Sequence, residues 1–237
     1  INPWMEPAKP TDTAKAVAQW QRLHDVYREL GHEVELIDQV ADCPDMVYTA
    51  NGGFVIDGRA YAPKFRFEER AGEEGPFAEW FRANGFRIAE PDEVNEGEGD
   101  LLLVGDTILA GTGFRSTDGS HREAGRIFGR PVISLTLIDP RYYHLDTAVS
   151  VLDPVEGPAG VERATIAYLP SAFDEASRTI LAERRRARRT VSTTRAGATA
   201  RAGTTARAGT RGRAGGTGSL SMGSAAGADL GQKGTLK

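Results

Sequence analysis

The run Val94-Asn95-Glu96-Gly97-Glu98-Gly99-Asp100-Leu101-Leu102-Leu103-Val104-Gly105-Asp106-Thr107-Ile108-Leu109-Ala110 carries two signals at once. Glycines separate the carboxylates of Glu96, Glu98 and Asp100, so backbone can approach closely and the acids can face a cleft. Two apolar runs follow, Leu101–Val104 and Thr107–Ala110, joined by Gly105-Asp106, which reads as a β-hairpin. Downstream, Ser120–Phe128 reads as a helix and Val132–Leu137 as a strand. Upstream the same order begins with Phe54–Ile56 and Arg59–Ala62 around Asp57-Gly58. A helix over Glu73–Asn84 comes next, with Phe77, Trp80 and Phe81 on one face and Gly85 at its end. Hairpin, helix and strand, then the same again, indicate a repeat-built α/β architecture.

Further elements flank this centre. Thr13–Leu30 has Val17, Trp20, Leu23, Tyr27 and Leu30 at helical spacing, with Asp12 or Thr13 to cap it and Gly31 to stop it. Val34–Asp38 and Met46–Thr49 read as short strands. Leu145–Leu152 and Thr165–Tyr168 read as a strand pair across the loose segment Pro154–Gly160. A fourth helix begins within Ser171–Ala182.

Charge divides the 237 residues into two parts. Residues 184–237 hold ten Arg and two Lys against one acid, Asp229, a net charge of +11. Residues 1–183 hold 17 bases against 32 acids, or −15. An acidic body argues against a nucleic-acid surface and suits a cationic small molecule. The single cysteine, Cys43, excludes an intramolecular disulfide and a Cys-rich zinc site, and fits a reducing cytoplasm. No apolar run approaches the roughly 18 residues of a membrane helix. The chain opens on Ile1 rather than Met, which reads as an incomplete or processed N-terminus.

Five motifs stand in order: Ile1-Asn2-Pro3-Trp4-Met5, Pro44–Gly52, Asn95–Asp100, Gly111–Arg115 and Tyr143–Thr147. Together they resemble the guanidine-modifying (pentein) superfamily. Within it, they are most similar to bacterial dimethylarginine dimethylaminohydrolases (dimethylargininases) and amidinotransferase-like proteins. The resemblance runs from residue 1 to about 182. It implies an incomplete five-bladed α/β propeller of ββαβ modules, with three to four of the five present. It implies no cofactor and no metal, and a small-molecule substrate, methylated arginine or arginine. No membrane and no specific nucleic acid are implied as partners, and a homodimer is left open.

The chemistry implied is cleavage of a C–N bond in a linear amidine. A cysteine thiolate attacks the guanidinium carbon, and a histidine protonates the departing amine. The same histidine then activates water to release citrulline, while carboxylates hold the cationic head. By resemblance, Glu96 is the catalytic carboxylate and His144 the general acid/base. The family pattern Glu-Gly-x-Gly-Asp makes Glu98 the variable, solvated position and Asp100 a cap of the loop or hairpin. Asn51 stands where dimethylargininases place a guanidinium-binding aspartate. That departure leaves methylated arginine or arginine open, and water or an amine as acceptor is not legible either. Arg115 and Arg70 match arginines that grip a substrate carboxylate or order the site, with Arg66 competing for the Arg70 role. Asp45 reads as a structural acid, and His24, His32 and His121 as non-catalytic.

The family's cysteine follows a glycine-rich run near the C-terminus. Here that region is an Arg/Ala/Gly/Thr tract with Arg-Ala-Gly recurring at 195, 201, 207 and 213. Cys43, before Pro44-Asp45, is not in the nucleophile's place and reads as a bystander. Residues 1–183 are therefore expected to form a partial propeller domain, and 184–237 a disordered basic tail. A shifted reading frame through GC-rich coding DNA explains the abrupt change, and a genuine phosphate- or acid-binding tail is its rival. This copy is expected to be inactive for lack of the thiol.

Overall fold

A computed structural model describes residues 11–153 and 164–183. Three small sheets follow one another along the chain. In the first, β1 (Phe54–Ile56) pairs antiparallel with β2 (Arg59–Tyr61). Asp57 and Gly58 between them have φ of 51° and 70°, the conformation a two-residue hairpin needs to match strand twist. The short helix α2 (Glu68–Ala71) and α3 (Glu74–Ala83) then lead to β3 (Arg87–Ala89), which lies parallel to β2. The second sheet repeats the plan. Strands β4 (Leu101–Val104) and β5 (Thr107–Thr112) form a hairpin in which Leu102 faces Leu109. Helix α4 (Asp118–Phe128) crosses to β6 (Val132–Thr136), parallel to β5. In the third sheet β7 (Val149–Asp153) pairs antiparallel with β8 (Thr165–Tyr168), and residues 175–183 are helical. Two ββαβ modules are thus complete among the described residues, with the ββα of a third.

Local chemistry fixes α4. The Thr117 hydroxyl accepts from the Ser120 amide at 3.3 Å, and Gly129 closes the helix at φ 63° with its N–H on the Gly125 carbonyl. The core lies between modules. Leu102, Leu109, Leu135, Leu145 and Phe173 form one buried cluster, and Phe54, Tyr61, Leu101 and Ile108 another. A parallel pair needs a crossover helix, and that helix needs a sheet face to cover, so each module repeats the same packing.

Several sequence expectations need correcting. Residues 34–38 form no strand. They hold the exposed Leu36 and half-buried Val34 and Ile37, with no partner edge among the described residues. Met46–Thr49 is not a strand but two 3₁₀ turns, Pro44–Val47 and Thr49–Gly52. Pro44 presets φ at the first turn, and only Met46 of that apolar run is buried. Likewise Leu145–Thr147 is a 3₁₀ turn, and its strand starts at Val149. Helix α1 (Thr13–Glu29) forms as expected, with Asp12 Oδ1 accepting from the Lys15 amide at 3.0 Å. No residue of it is fully buried: Val17, Leu23 and Leu30 of its apolar stripe are exposed, and Trp20 and Tyr27 are half-buried. No described helix is long and apolar enough to cross a membrane. The motif at residues 1–5, the segment after Asp153 and the basic tail lie outside the described residues.

Candidate active site

Each module is entered through a 3₁₀ turn just before its first strand: Thr49–Gly52 before β1, Gly97–Gly99 before β4 and Leu145–Thr147 before β7. The residues that open these turns are Tyr48, Glu96 and His144, spaced 48 apart. A repeat places equivalent residues at equivalent points of each unit. Glu96 and His144 therefore meet although they are far apart in sequence. The turns themselves are packed backbone to backbone. Gly97 has φ 54°, and a Cβ there would lie 2.5 Å from the Gly53 carbonyl oxygen. At Gly99 a Cβ would stand 2.2 Å from Asn51 Nδ2 and 3.0 Å from His144 Nδ1.

Glu96 is fully buried, and its carboxylate is surrounded by donors. Oε1 accepts from the Arg66 amide at 3.3 Å. Oε2 lies 3.0 Å from Arg115 Nη1, 3.3 Å from His144 Nε2 and 3.9 Å from Arg70 Nη1. Burial works to raise the pKa of Glu96. The His144 hydrogen bond and the charges of His144, Arg115 and Arg70 outweigh it and hold the pKa below the ordinary value.

His144 is buried between two carboxylates. Nε2 faces Glu96, and Nδ1 stands 3.3 Å from Asp100 Oδ1. Both contacts are satisfied only when both nitrogens carry protons. Burial opposes the charge, but Asp100 and then Glu96 overcome it and push the His144 pKa up to about 9. Asp100 does more than cap a loop. Its Oδ1 also accepts from the Leu145 amide at 3.1 Å. Its Oδ2 accepts from the Ser116 amide at 3.1 Å and hydroxyl at 2.6 Å. The sequence reading missed this role, because an acid after glycine and before a hairpin looks like a turn cap.

Asn51 and Arg70 form a second layer. The Arg70 fork donates to both Glu73 oxygens at 2.8 and 2.7 Å, to Asn51 Oδ1 at 2.8 Å and to the Asp45 carbonyl at 3.2 Å. It thereby fixes the Asn51 amide, whose Nδ2 points at the Glu96 carbonyl at 3.4 Å. Arg115 is buried with its guanidinium carbon 4.7 Å from the ring centroids of both Phe67 and Tyr143. Arg66 donates from Nε to the Arg115 carbonyl at 2.8 Å, so it holds main chain rather than replacing Arg70. All five candidates, Glu96, His144, Asn51, Arg115 and Arg70, lie in one contact network.

Asp146, two residues after His144, was not singled out from the sequence. The residue is partly covered, but its Oδ1 is sealed from solvent and has no hydrogen-bond partner among the described residues. Burial pushes its carboxyl up to about 7 against the opposing charge of His144. Such an orphan acceptor is suited to an N–H of a bound cation. Tyr48 and Tyr143 are partly exposed beside the network and can wall it. His121 is a structural histidine: Nε2 contacts the Gly111 carbonyl at 3.0 Å and Nδ1 the Ser134 hydroxyl at 2.8 Å. Among the described residues no group of His, Cys, Asp or Glu is arranged to hold a metal.

No family model matches the chain. Individual relatives do. An N(G),N(G)-dimethylarginine dimethylaminohydrolase of Mycobacterium tuberculosis is 50% identical over 177 residues, spanning 75% of this chain and 56% of that protein. ArgZ, a bifunctional arginine dihydrolase/ornithine cyclodeaminase of Synechocystis, is 39% identical over 186 residues, or 76% of this chain and 25% of ArgZ. The solved N-terminal domain of ArgZ, covalently bound to a reaction intermediate, superposes with a TM-score of 0.69 at 38% identity, covering 78% of this chain and 66% of that one. The chain belongs to the guanidine-modifying superfamily. It spans about half the length of the dimethylarginine dimethylaminohydrolase it matches and a quarter of ArgZ.

Cys43, the one cysteine of the sequence, has surroundings that suppress a thiolate. It is half-buried at the edge of the cluster formed by Met46, Phe65 and Phe77, and an added Cβ on Gly72 would touch its Sγ at 3.0 Å. Burial, Glu73 and Asp42 raise its pKa, against the weaker opposing effect of Arg70. A reactive thiol has the opposite surroundings.

Proposed function

We propose that this chain carries the carboxylate and acid/base half of a dimethylargininase-like site, which binds methylated arginine or arginine. The observation that supports this best is Glu96 Oε2 at 3.3 Å from His144 Nε2, both buried, with Asp146 offering an unpartnered oxygen two residues beyond the histidine. In this reading Glu96 and Asp146 hold the guanidinium, and His144 stands charged, ready to give a proton to a departing amine. Asn51, fixed by Arg70, lines the head-group pocket as a neutral acceptor. The ββαβ modules are read as part of a five-bladed propeller.

Hydrolysis to citrulline through a Cys/His/Glu covalent step needs a nucleophile that Cys43 does not supply. The chain is therefore proposed to bind its ligand without turnover. Asn51 in place of an aspartate brings no charge to the head group, and both arginine and its methylated forms are ligands to test, in line with the dimethylarginine dimethylaminohydrolase and arginine dihydrolase relatives. Calorimetric titration with L-arginine and asymmetric dimethylarginine, alongside a citrulline assay, tests the reading. Saturable binding of either ligand without citrulline supports it. Binding of neither removes it.

A further inference from the structure

Glu73 stands at the N-cap of α3, where a side-chain oxygen ordinarily accepts from a free helix amide. This carboxylate makes no such bond. Both its oxygens turn to Arg70 instead, taking Nε at 2.8 Å and Nη2 at 2.7 Å, with Glu73 fully buried and Arg70 nearly so. Burial raises the Glu73 pKa, against the hydrogen bonds and charge of Arg70. A buried ion pair adds little to stability once desolvation is counted, so its effect lies in where it puts the arginine. One edge of the fork is on Glu73, and Nη1 donates to Asn51 Oδ1. The guanidinium carbon lies 4.2 Å over the Phe65 ring. Held in this way, Nη1 stops 3.9 Å from Glu96 Oε2, beyond hydrogen-bond reach.

We infer that Glu73, acting through Arg70, makes this site prefer a charged guanidinium over a neutral head group of the same shape. This rests on the reading of Glu96 as the carboxylate that takes the ligand's head group. In the network, the buried cations Arg70, Arg115 and His144 stand against the buried carboxylates Glu73, Glu96 and Asp100. Asp45, Glu98 and Asp146 are further acids nearby. Without Glu73 the sum shifts by one positive charge before any ligand arrives. Arg70 then has no carboxylate of its own, and a movement of about 1 Å brings Nη1 to hydrogen-bond distance from Glu96. An incoming guanidinium meets that added cation and is repelled. A ureido group, similar in shape and uncharged, is not. With Glu73 in place the Arg70 charge is neutralised where it stands, and Glu96 keeps its own for the ligand. Both Glu73 oxygens are on Arg70, so Glu73 is a positioning residue that acts without touching the ligand.

The test is calorimetry of the full chain with L-arginine and L-citrulline, which differ only in the head group. Contacts to their shared amino-acid part cancel in the ratio of the two affinities. The wild type is expected to prefer arginine by at least about tenfold. Glu73→Gln should weaken arginine about tenfold while citrulline stays within about threefold. Glu73→Asp keeps the charge and should hold the wild-type ratio. Arg70→Gln combined with Glu73→Gln leaves no uncompensated buried charge and should also hold it, which covers the case in which Glu73→Gln fails to fold. Thermal melts beside each titration separate lost folding from lost selectivity. A wild type that binds both ligands equally overturns the inference and leaves the functional reading standing. So does a folded Glu73→Gln protein in which both ligands weaken alike or neither changes, and so does a double variant whose ratio collapses. No binding of arginine by the wild type also overturns it, and the functional reading falls with it when asymmetric dimethylarginine fails to bind as well.

Discussion

Glu96 and His144 lie 48 residues apart at equivalent points of successive modules, and their side chains meet at 3.3 Å in the interior. The pair is one consequence of a repeat. The turn that opens each module also delivers one side chain to a shared centre. With Asp100 on its other nitrogen, His144 is a buried cation held by two anions.

That arrangement sets the pH dependence of stability. The folded pKa of His144, about 9, lies above its ordinary value of 6.5. Its stabilisation is therefore complete below pH 6.5 and is lost as pH rises through 9. Asp146 adds to the trend. With a folded pKa near 7 against an ordinary 3.8, its favourable contribution is complete below about 3.8 and gone above about 7. Urea denaturation between pH 6.5 and 9.5 should show stability falling by up to about 3 kcal/mol. His144→Gln should flatten that slope. A wild-type stability that rises across this window contradicts the assignment.

Asp100 joins the loop at Gly97–Gly99 to those at Ser116 and Leu145. Asp100→Asn removes a charge and turns one acceptor into a donor facing N–H groups. A loss of about 1–3 kcal/mol is expected, as for an unsatisfied buried polar group. The His144 pKa, followed by NMR of its ring, should fall. Ser116→Ala should leave that pKa nearly unchanged. An Asp100→Asn protein whose His144 titrates as in the wild type would show that Asp100 acts on the loops alone.

Much of this fold was legible from residue order. Asp57-Gly58 and Gly105-Asp106 marked both hairpins, because two-residue turns depend on local chemistry. Met46–Thr49 was misread because a short apolar run suits a strand or a turn equally until its neighbours are known. Helix α1 was legible as a helix, while the fate of its apolar stripe depends on what packs against it. The site residues Glu96, His144, Asn51, Arg70 and Arg115 were found through motif resemblance. Asp100 and Asp146 were not, because their roles depend on contacts across modules. The 48-residue spacing of Tyr48, Glu96 and His144 is a signal in the sequence that could have predicted the convergence.

The closeness of the turns yields a further prediction. Gly99→Ala drives a methyl group into Asn51, whose amide cannot yield because Arg70 holds it. Overpacking of this kind costs about 1–3 kcal/mol and should abolish arginine binding. At Gly129 an added Cβ meets nothing, though φ is 63°. Gly129→Ala should cost about 1 kcal/mol through backbone strain and leave binding intact. Equal loss of binding in both variants, measured by calorimetry beside thermal melts, would mean that Gly99 acts through stability alone.

Cys43 belongs to a small apolar cluster, so Cys43→Ser should lower stability by about 1 kcal/mol and leave arginine affinity within twofold. An affinity change of tenfold or more would place Cys43 in the site.

The site is proposed to bind a guanidinium amino acid without a nucleophile to attack it. Carbon NMR of L-arginine labelled at the guanidinium carbon reads binding and turnover together. With the wild-type chain the labelled signal should shift and broaden saturably, Glu96→Gln should abolish that shift, and no citrulline carbon should appear over long incubation. A citrulline signal that disappears in Cys43→Ser would contradict the claim and make Cys43 the nucleophile, and an unshifted arginine signal at saturating protein would show that there is no such site.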